Sequence, residues 1–333
     1  MARSARSTPA TQQDVADAAG VSRGLVSLAL KGEGRMSEET RRRVLDAAHA
    51  LGYRTNAAAA ELAARRSHRV AIIVPYLDNP FFDRLLRALR RRARQSGYTL
   101  VAFLSDLEDQ AEHSTVDDVL SLRPAGLILP GTTLRVDELV DLNRLVPLCV
   151  VDRTLPRESG VPTVRLDEAH AARLTVTHLR EQGYQRLAFF SPARARREPL
   201  VLERLEANRA EAARQGLALT EVSADGGVRD ALAAAAGEGS GPLGVIAYND
   251  LLAIDVVAAG LALGIAVPED LGVSSYDDSA LAERSELRVT SVNQHPEQLM
   301  AYALSAALGP EDAPADRTVP AGLVPRGSTM RRG

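Results

Sequence analysis

The residue types able to do covalent or metal chemistry are present, but their spacing does not serve it. Gly239, Gly241 and Gly244 in GSGPLG fit the G-x-G-x-x-G pattern with which a backbone turn approaches a dinucleotide's phosphates. The segment follows the helical stretch RDALAAAA and precedes the strand-like GVIAYN. That reverses the strand-then-helix order such a fingerprint requires, so it reads as a loop. The six histidines show no metal-ligand spacing, there is no G-x-S-x-G nucleophile elbow, and no motif singles out a pair of carboxylates. Cys149, the single cysteine, lies in the apolar run VPLCVVD, which excludes an intramolecular disulfide and makes a buried inert thiol the expectation. No catalytic residue, cofactor or metal site is expected. The spacing that does suit a function is in TQQDVADAAGVSRGLVSLALKG, which alone fits either an ordinary helical hairpin in a core or a helix-turn-helix, whose second helix can enter a DNA groove.

Three short helices must position it. Thr11 can cap a helix with Asp14 at its third position, close to a capping box, and Val15, Ala18 and Ala19 supply an apolar stripe to about Ala19. Gly20 can take the positive φ of a helix end, Val21 plugs the turn, and Ser22 can cap a second helix through Leu30. Gly20 thus serves a turn that lets the second helix leave at a steep angle. Ser37 caps a third helix, with Glu38 and Glu39 in its first turn, running to about Leu51 and ending at Gly52. From about His68, short apolar strands alternate with helices through RVAIIVP, TLVAFL, GLILP and PLCVVD, and again through RLAFFS, GVIAYN and LGVSSYD. This alternation predicts an α/β body with parallel sheets flanked by helices.

Charge is divided to match. Residues 1–66 hold 11 Lys and Arg against 7 Asp and Glu, and the rest of the chain holds 29 against 36. A basic head on an acidic body fits a nucleic-acid partner for the head. The N-terminus has basic residues but no apolar core of a signal peptide, and no run is long and uncharged enough to span a bilayer. A cytoplasmic protein with no membrane association is the expectation. A secreted solute-binding protein would share the body, but not the helix-turn-helix.

The order of DVADAAGVS, SEETRRRV, LGYRTN and ELAARRS resembles the lactose-repressor (LacI) family of transcription regulators. Downstream, VPYLDNPFFDRLLRAL, PAGLILPG, VVDR, LREQGYQRLAFF, YNDLLAIDVVAAGLALGIAVPEDLGVSSYDD and TSVNQ follow in the family's order, so the likeness covers nearly the whole chain. It implies a helix-turn-helix DNA-binding head and a two-subdomain body like that of periplasmic binding proteins. The implied divisions are a disordered tail at 1–10, the DNA-binding domain at 11–55, a hinge helix at 56–67 and an effector-binding and dimerisation core at 68–330. The core's first subdomain would take about 68–163 and 293–320, and its second about 164–292 and 321–330. Base edges would be read by Arg23 and Gly24, with Leu28 one turn later; an arginine can donate two hydrogen bonds to a guanine. Thr11, Ser22, Ser27, Lys31, Arg35 and Asn56 would contact phosphates, which positions without specifying. Leu62 would wedge into the minor groove from the hinge helix.

For the body, the resemblance implies an effector site made of Asn79, Phe81, Phe82, Asp152, Arg153, Arg204, Asn249, Asp277 and Gln294. The family's stacking aromatic has no counterpart, its place falling near Gly226, and RREPLVLE is apolar where relatives present small hydroxyls. The implied function is a regulator, a repressor, that binds a near-palindromic double-stranded operator as a homodimer, with a small effector, a sugar being one candidate, in the cleft. The alternatives are the same regulator with a cleft that has lost its ligand and, distantly, a sugar- or nucleotide-processing enzyme. No terminal heptad repeat suggests a tetramer. LVPRGS, at 323–328, spells a thrombin-cleavage sequence, and the family's similar RGST strand marks it as native.

Overall fold

Local caps decide where the helices of the first unit begin and end. In the computed structural model, which describes residues 10–54, 67–105, 109–191, 199–309 and 316–331, the chain divides into units 1–67 and 68–333. Helix α1 (Gln12–Ala19) opens on the reciprocal capping box of Thr11 and Asp14 and closes at Gly20, with φ +63°. Helix α2 (Arg23–Lys31) is capped by the Ser22 hydroxyl, which accepts from the Leu25 N–H at 3.3 Å, and α3 (Glu38–Ala50) by Ser37. Val15, Ala16, Ala19, Val26, Ala29, Val44 and Ala48 form their shared core. Arg43 of α3 donates to the Ala19 carbonyl at 3.0 Å, fastening α3 to the end of α1.

The second unit holds two sheets. The first is built from β1 (Arg69–Val74), α4 (Pro80–Gln95), β2 (Thr99–Leu104), α5 (Asp109–Ser121), β3 (Gly126–Pro130), α6 (Val136–Leu145), β4 (Leu148–Val151) and β5 (Thr163–Leu166). The second follows with α7 (Glu168–Glu181), β6 (Arg186–Ser191), α8 (Pro199–Arg214), β7 (Ala218–Ser223), α9 (Val228–Gly237), β8 (Leu243–Ala247), α10 (Asp250–Ala262), β9 (Leu271–Tyr276) and β10 (Thr290–Asn293). The chain then returns to the first sheet with α11 (Pro296–Ala307) and β11 (Asp316–Val319), and ends in the second with β12 (Gly322–Val324).

Strand order is β11-β5-β4-β3-β1-β2 in one sheet and β12-β10-β9-β8-β6-β7 in the other. All pairings are parallel except β10 with β12, which is antiparallel. Central strands are apolar on both faces: Val70, Ile72 and Val74 of β1 enter one core, and Ala71 and Ile73 enter the core behind it. This is the pattern of a parallel sheet covered by helices on both sides. The crossings follow Leu166, Asn293 and Val319, within a few residues of the boundaries the resemblance implied, because β5 lies entirely in the first sheet and Asn293 still pairs in the second. GSGPLG leads from α9 into β8, as a loop. Cys149 is buried, and burial pushes its thiol far above its ordinary range. No helix among the described residues is long and apolar enough to cross a membrane.

The thrombin-like segment is built into the second sheet's edge. Ser328 donates its N–H to Arg288 O at 2.9 Å and accepts from Val273 N–H at 3.0 Å, while its hydroxyl accepts from Thr290 N–H at 2.9 Å. The Arg326 side chain, 14% exposed, reaches Val289 O and Asp278 Oδ1. A protease needs that arginine extended and free. Native protein is therefore expected to resist thrombin at Arg326–Gly327 and to be cut there once urea opens the edge; rapid cutting without urea would show that the segment is not held.

Candidate functional site

Two surfaces carry the residues singled out in the sequence. On the first unit, Ser22, Arg23, Gly24 and Leu28 are exposed on α2, Ser27 is half-buried, and Lys31 closes the helix. Arg35 is exposed in the connection to α3. Thr11 is exposed, but its hydroxyl is engaged with Asp14 Oδ2 at 2.8 Å. The Thr11 backbone N–H, then its hydroxyl, hold the Asp14 carboxyl below its usual range. Asn56 and Leu62 lie outside the described residues.

Gly24 answers a local question. Its φ is unremarkable for any residue, and a methyl group there would meet only Ser22 Oγ, at 4.0 Å. Nothing in the chain's own packing requires glycine, in contrast to Gly20, whose φ does.

In the second unit, one cleft of about 630 Å³, its open mouth included, is lined by Asn79, Phe81, Phe82, Asp152, Arg153, Arg204, Asn249, Asp277 and Gln294. All nine residues implied by the resemblance therefore meet in one place. Asp152 and Arg153 follow β4, Asn249 follows β8, Asp277 follows β9 and Gln294 follows β10. These are the carboxyl ends of strands from both sheets, where open α/β folds form their crevices.

A continuous hydrogen-bonded chain ties the two sides. Asn79 caps α4, its Oδ1 accepting from Phe81 N–H at 2.9 Å, and its Nδ2 donates across the cleft to Asp277 Oδ2 at 2.9 Å. Gln294 Nε2 donates to Asp277 Oδ1 at 2.7 Å, and Gln294 Oε1 accepts from Arg204 Nη2 at 3.0 Å. Arg204 also donates through Nη1 to Tyr248 O at 3.0 Å and through Nε to Glu168 Oε1 at 3.1 Å, with its guanidinium 4.2 Å from the Tyr276 ring centre. Three of its five N–H donors thus serve the protein itself. Arg153 donates to the carbonyls of Thr132 and Leu134, and Asn249 caps α10 by accepting from Leu252 N–H at 2.9 Å.

Electrostatics follow from burial. Burial raises Asp152 to about 6, with Arg204 partly opposing it, and raises Glu168 to about 7 against the same arginine. Asp277 is raised to about 8 by burial and the nearby Asp250. Burial also works against the charge on Arg204, but Glu168, Tyr248, Asp277 and Tyr276 outweigh it and hold the guanidinium protonated. Asp152 and Asp277 have φ of +59° and +105°, a conformation that residues other than glycine rarely take and one that concentrates at binding sites.

The sequence reading missed several residues of this cleft. Tyr76, Pro130, Thr132, Pro199, Leu200 and Tyr248 also line it, and Tyr76 meets the Phe82 ring edge-on at 5.0 Å. The apolar residues noticed in RREPLVLE thus become a wall, and aromatic surface is supplied from the β1–α4 side. Glu168, the partner of Arg204, gave no signal, since an acid in a helix's first turn is ordinary.

Comparison with known proteins places both units. Residues 11–56 match the model for bacterial regulatory proteins of the lacI family, and residues 176–329 match that of a periplasmic binding protein-like domain. The HTH-type transcriptional regulator PtxS of Pseudomonas putida is 30% identical over 332 residues, covering 96% of each chain. The chain belongs to the lacI family. Among further relatives of this lacI-family regulator, the HTH-type transcriptional repressor CytR of Escherichia coli is 27% identical over 333 residues, 97% of each chain. A lac repressor dimer bound to operator and an anti-inducer superposes with a TM-score of 0.83 at 23% identity, over 97% of this chain and all of that one, which shows the shared fold. A CelR–cellobiose complex gives 0.68 at 25% identity, over 96% and 99%. The lacI-family chain is a DNA-binding transcriptional regulator, with a helix-turn-helix unit and an α/β body.

Proposed function

We propose that this regulator is a repressor that binds a near-palindromic operator as a homodimer and responds to a small effector held in the cleft of its body. The observation that carries the reading is the convergence of Asn79, Asp152, Arg204, Asn249, Asp277 and Gln294 on one cleft, at the carboxyl ends of both sheets. The cleft is amphipathic: a row of donors and acceptors faces an apolar wall of Tyr76, Phe82, Pro199 and Leu200, the surface a sugar-sized polyol needs. The CelR structure contains cellobiose, and the lac repressor structure an operator and an anti-inducer; these support the assignment by likeness.

In the same reading, the unit at 11–55 contacts DNA through α2, with Arg23 reading a base and Gly24 admitting the backbone close to the duplex. Residues 56–67 connect it to an effector core at 68–330. No catalysis is assigned, in keeping with relatives that are transcriptional regulators. The test is selection of bound duplexes from a random library, followed by a salt titration on the winner. A near-palindrome whose binding falls steeply with salt and shifts on adding mono- and disaccharides is expected. Enrichment of single half-sites would overturn the dimer, and binding indifferent to every ligand and to Asn249→Ala would overturn the effector role.

A further inference from the structure

One exposed residue of α2 is apolar and held in place. Between Arg23 and Leu30 the exposed residues of the helix are Arg23, Gly24 and Leu28, the leucine being 38% exposed. Around the helix Gly24 falls between the other two, about 100° from Arg23 and about 40° from Leu28. The Arg23 guanidinium brings donors to this face, and the Leu28 side chain brings only carbon.

The chain leaving α2 folds back onto that leucine. Gly32 closes the helix at φ +75°, the Glu33 N–H donates to the Leu28 carbonyl at 2.9 Å, and Gly34 follows at φ +82°. A Cβ at Gly34 would stand 3.0 Å from Leu28 Cδ1 and 3.2 Å from Leu28 Cβ. The Gly34 backbone therefore lies flat against the leucine, in a place that both its φ and its closeness reserve for glycine. On the other flank, a methyl group at Gly24 would meet only Ser22 Oγ, at 4.0 Å, so Leu28 stops short of it. Long helical side chains lean towards the preceding turn, which here is that of Gly24. Leu28 is thus backed by Gly34 and borders a shallow notch floored by Gly24, and a side chain already held loses less freedom when it binds.

In the major groove every base pair presents donors and acceptors, and the one apolar group is the C5 methyl of thymine. Against a polar base edge Leu28 displaces water and returns no hydrogen bond, which costs free energy. Against the methyl it buries carbon on carbon. We propose that Leu28, braced by Gly34, reads a pyrimidine C5 methyl in each half of the operator: a thymine, or a 5-methylcytosine standing in its place. Leu28 touches the base, and Gly34 is a positioning residue. The inference rests on α2 meeting DNA through its exposed face.

The experiment is competition binding of the full-length protein on its library-selected duplex, with each thymine replaced in turn by uracil. That change removes the methyl and leaves the pairing and the polar groups of the groove as they were. One thymine in each half-site is expected to stand out, uracil weakening binding about fourfold there, the worth of one buried carbon, and about fifteenfold in both half-sites together. Cytosine paired with guanine should bind worse still at that place, and 5-methylcytosine should recover part of the loss. In Leu28→Ala, thymine and uracil should bind alike while the guanine preference set by Arg23 stays. Gly34→Asn keeps a residue type that accepts positive φ but sets a Cβ against Leu28. It should keep the guanine preference and lose most of the thymine-over-uracil ratio.

A selected half-site without thymine, or uracil tolerated at every thymine, overturns the methyl contact; if Arg23→Ala still flattens the base preference, α2 stands as the reading helix. If neither Arg23→Ala nor Leu28→Ala alters any base preference, the reading of α2 itself falls. A uracil penalty that persists in Leu28→Ala gives the methyl to another residue and overturns the role of Leu28. A full thymine-over-uracil ratio in Gly34→Asn, or loss of both preferences together, overturns the brace.

Discussion

Arg23→Ala is expected to weaken binding of the selected operator by about 5- to 150-fold per half-site, the equivalent of roughly 1 to 3 kcal/mol for a lost two-pronged contact to a guanine. Arg23 is the first residue of α2 and is exposed, while the buried Val26 and Ala29 carry the helix's contacts to the core. The substitution should therefore leave the unit folded. Base preference should flatten at one position of each half-site, and the dependence on salt should change little. A phosphate contact would give the opposite: affinity lost evenly across sequences and a shallower salt slope. Gly24→Ala separates contact from fold. A methyl group there meets nothing closer than 4.0 Å within the chain, and alanine favours a helix over glycine by roughly 0.5 to 1 kcal/mol, so α2 should gain stability. If the backbone at Gly24 approaches DNA closely, operator affinity falls even so. Competition binding on duplexes varied one base pair at a time reads both variants.

The helix-turn-helix was legible because its signals are local. Thr11 and Asp14, Gly20, Ser22 and Ser37 lie within a few residues of the ends they cap, and the structure uses each as its type suggests. The two sheets were legible for a similar reason, since buried parallel strands are short apolar runs between helices. The antiparallel β12 was not: three half-buried residues after a crossing carry no period. The cleft shows the opposite limit. Asn79 and Asp277 bond across 198 positions of chain, and no spacing rule joins them; a family resemblance did. Glu168 fell outside that resemblance and looked like any acid at a helix start, although it holds the arginine on which the cleft's hydrogen-bonded chain depends. The positive φ of Asp152 and Asp277 was equally invisible, because it is imposed by the strand ends and not by residue type.

Arg204→Met is expected to destabilise the body by about 3 to 5 kcal/mol, the usual cost of removing one partner from a buried ion pair. Methionine keeps much of the packing against Tyr276 and Tyr248 but supplies no donor to Glu168, to Gln294 Oε1 or to the Tyr248 carbonyl. Glu168 suffers most, since its Oε2 already lacks a partner and burial holds the carboxyl near 7 even beside the arginine. Without Arg204 that carboxyl rises further. A carboxyl held above its unfolded value costs stability wherever the unfolded chain is ionised; below about 7 both folded proteins keep Glu168 protonated and lose stability in parallel, so the deficit of Arg204→Met should be level there and widen as the pH rises above about 7. Adding Glu168→Gln removes the stranded acid. The double variant should recover more than about 1 kcal/mol of the loss and show a smaller widening, left by Asp152 and Asp277, which Arg204 also faces, a failure of additivity expected of groups in direct contact. Urea midpoints of the four proteins below and above that pH measure it. A deficit that ignores pH and is not relieved by Glu168→Gln would mean that Arg204 acts through its stacking on the two tyrosines, with its charge incidental.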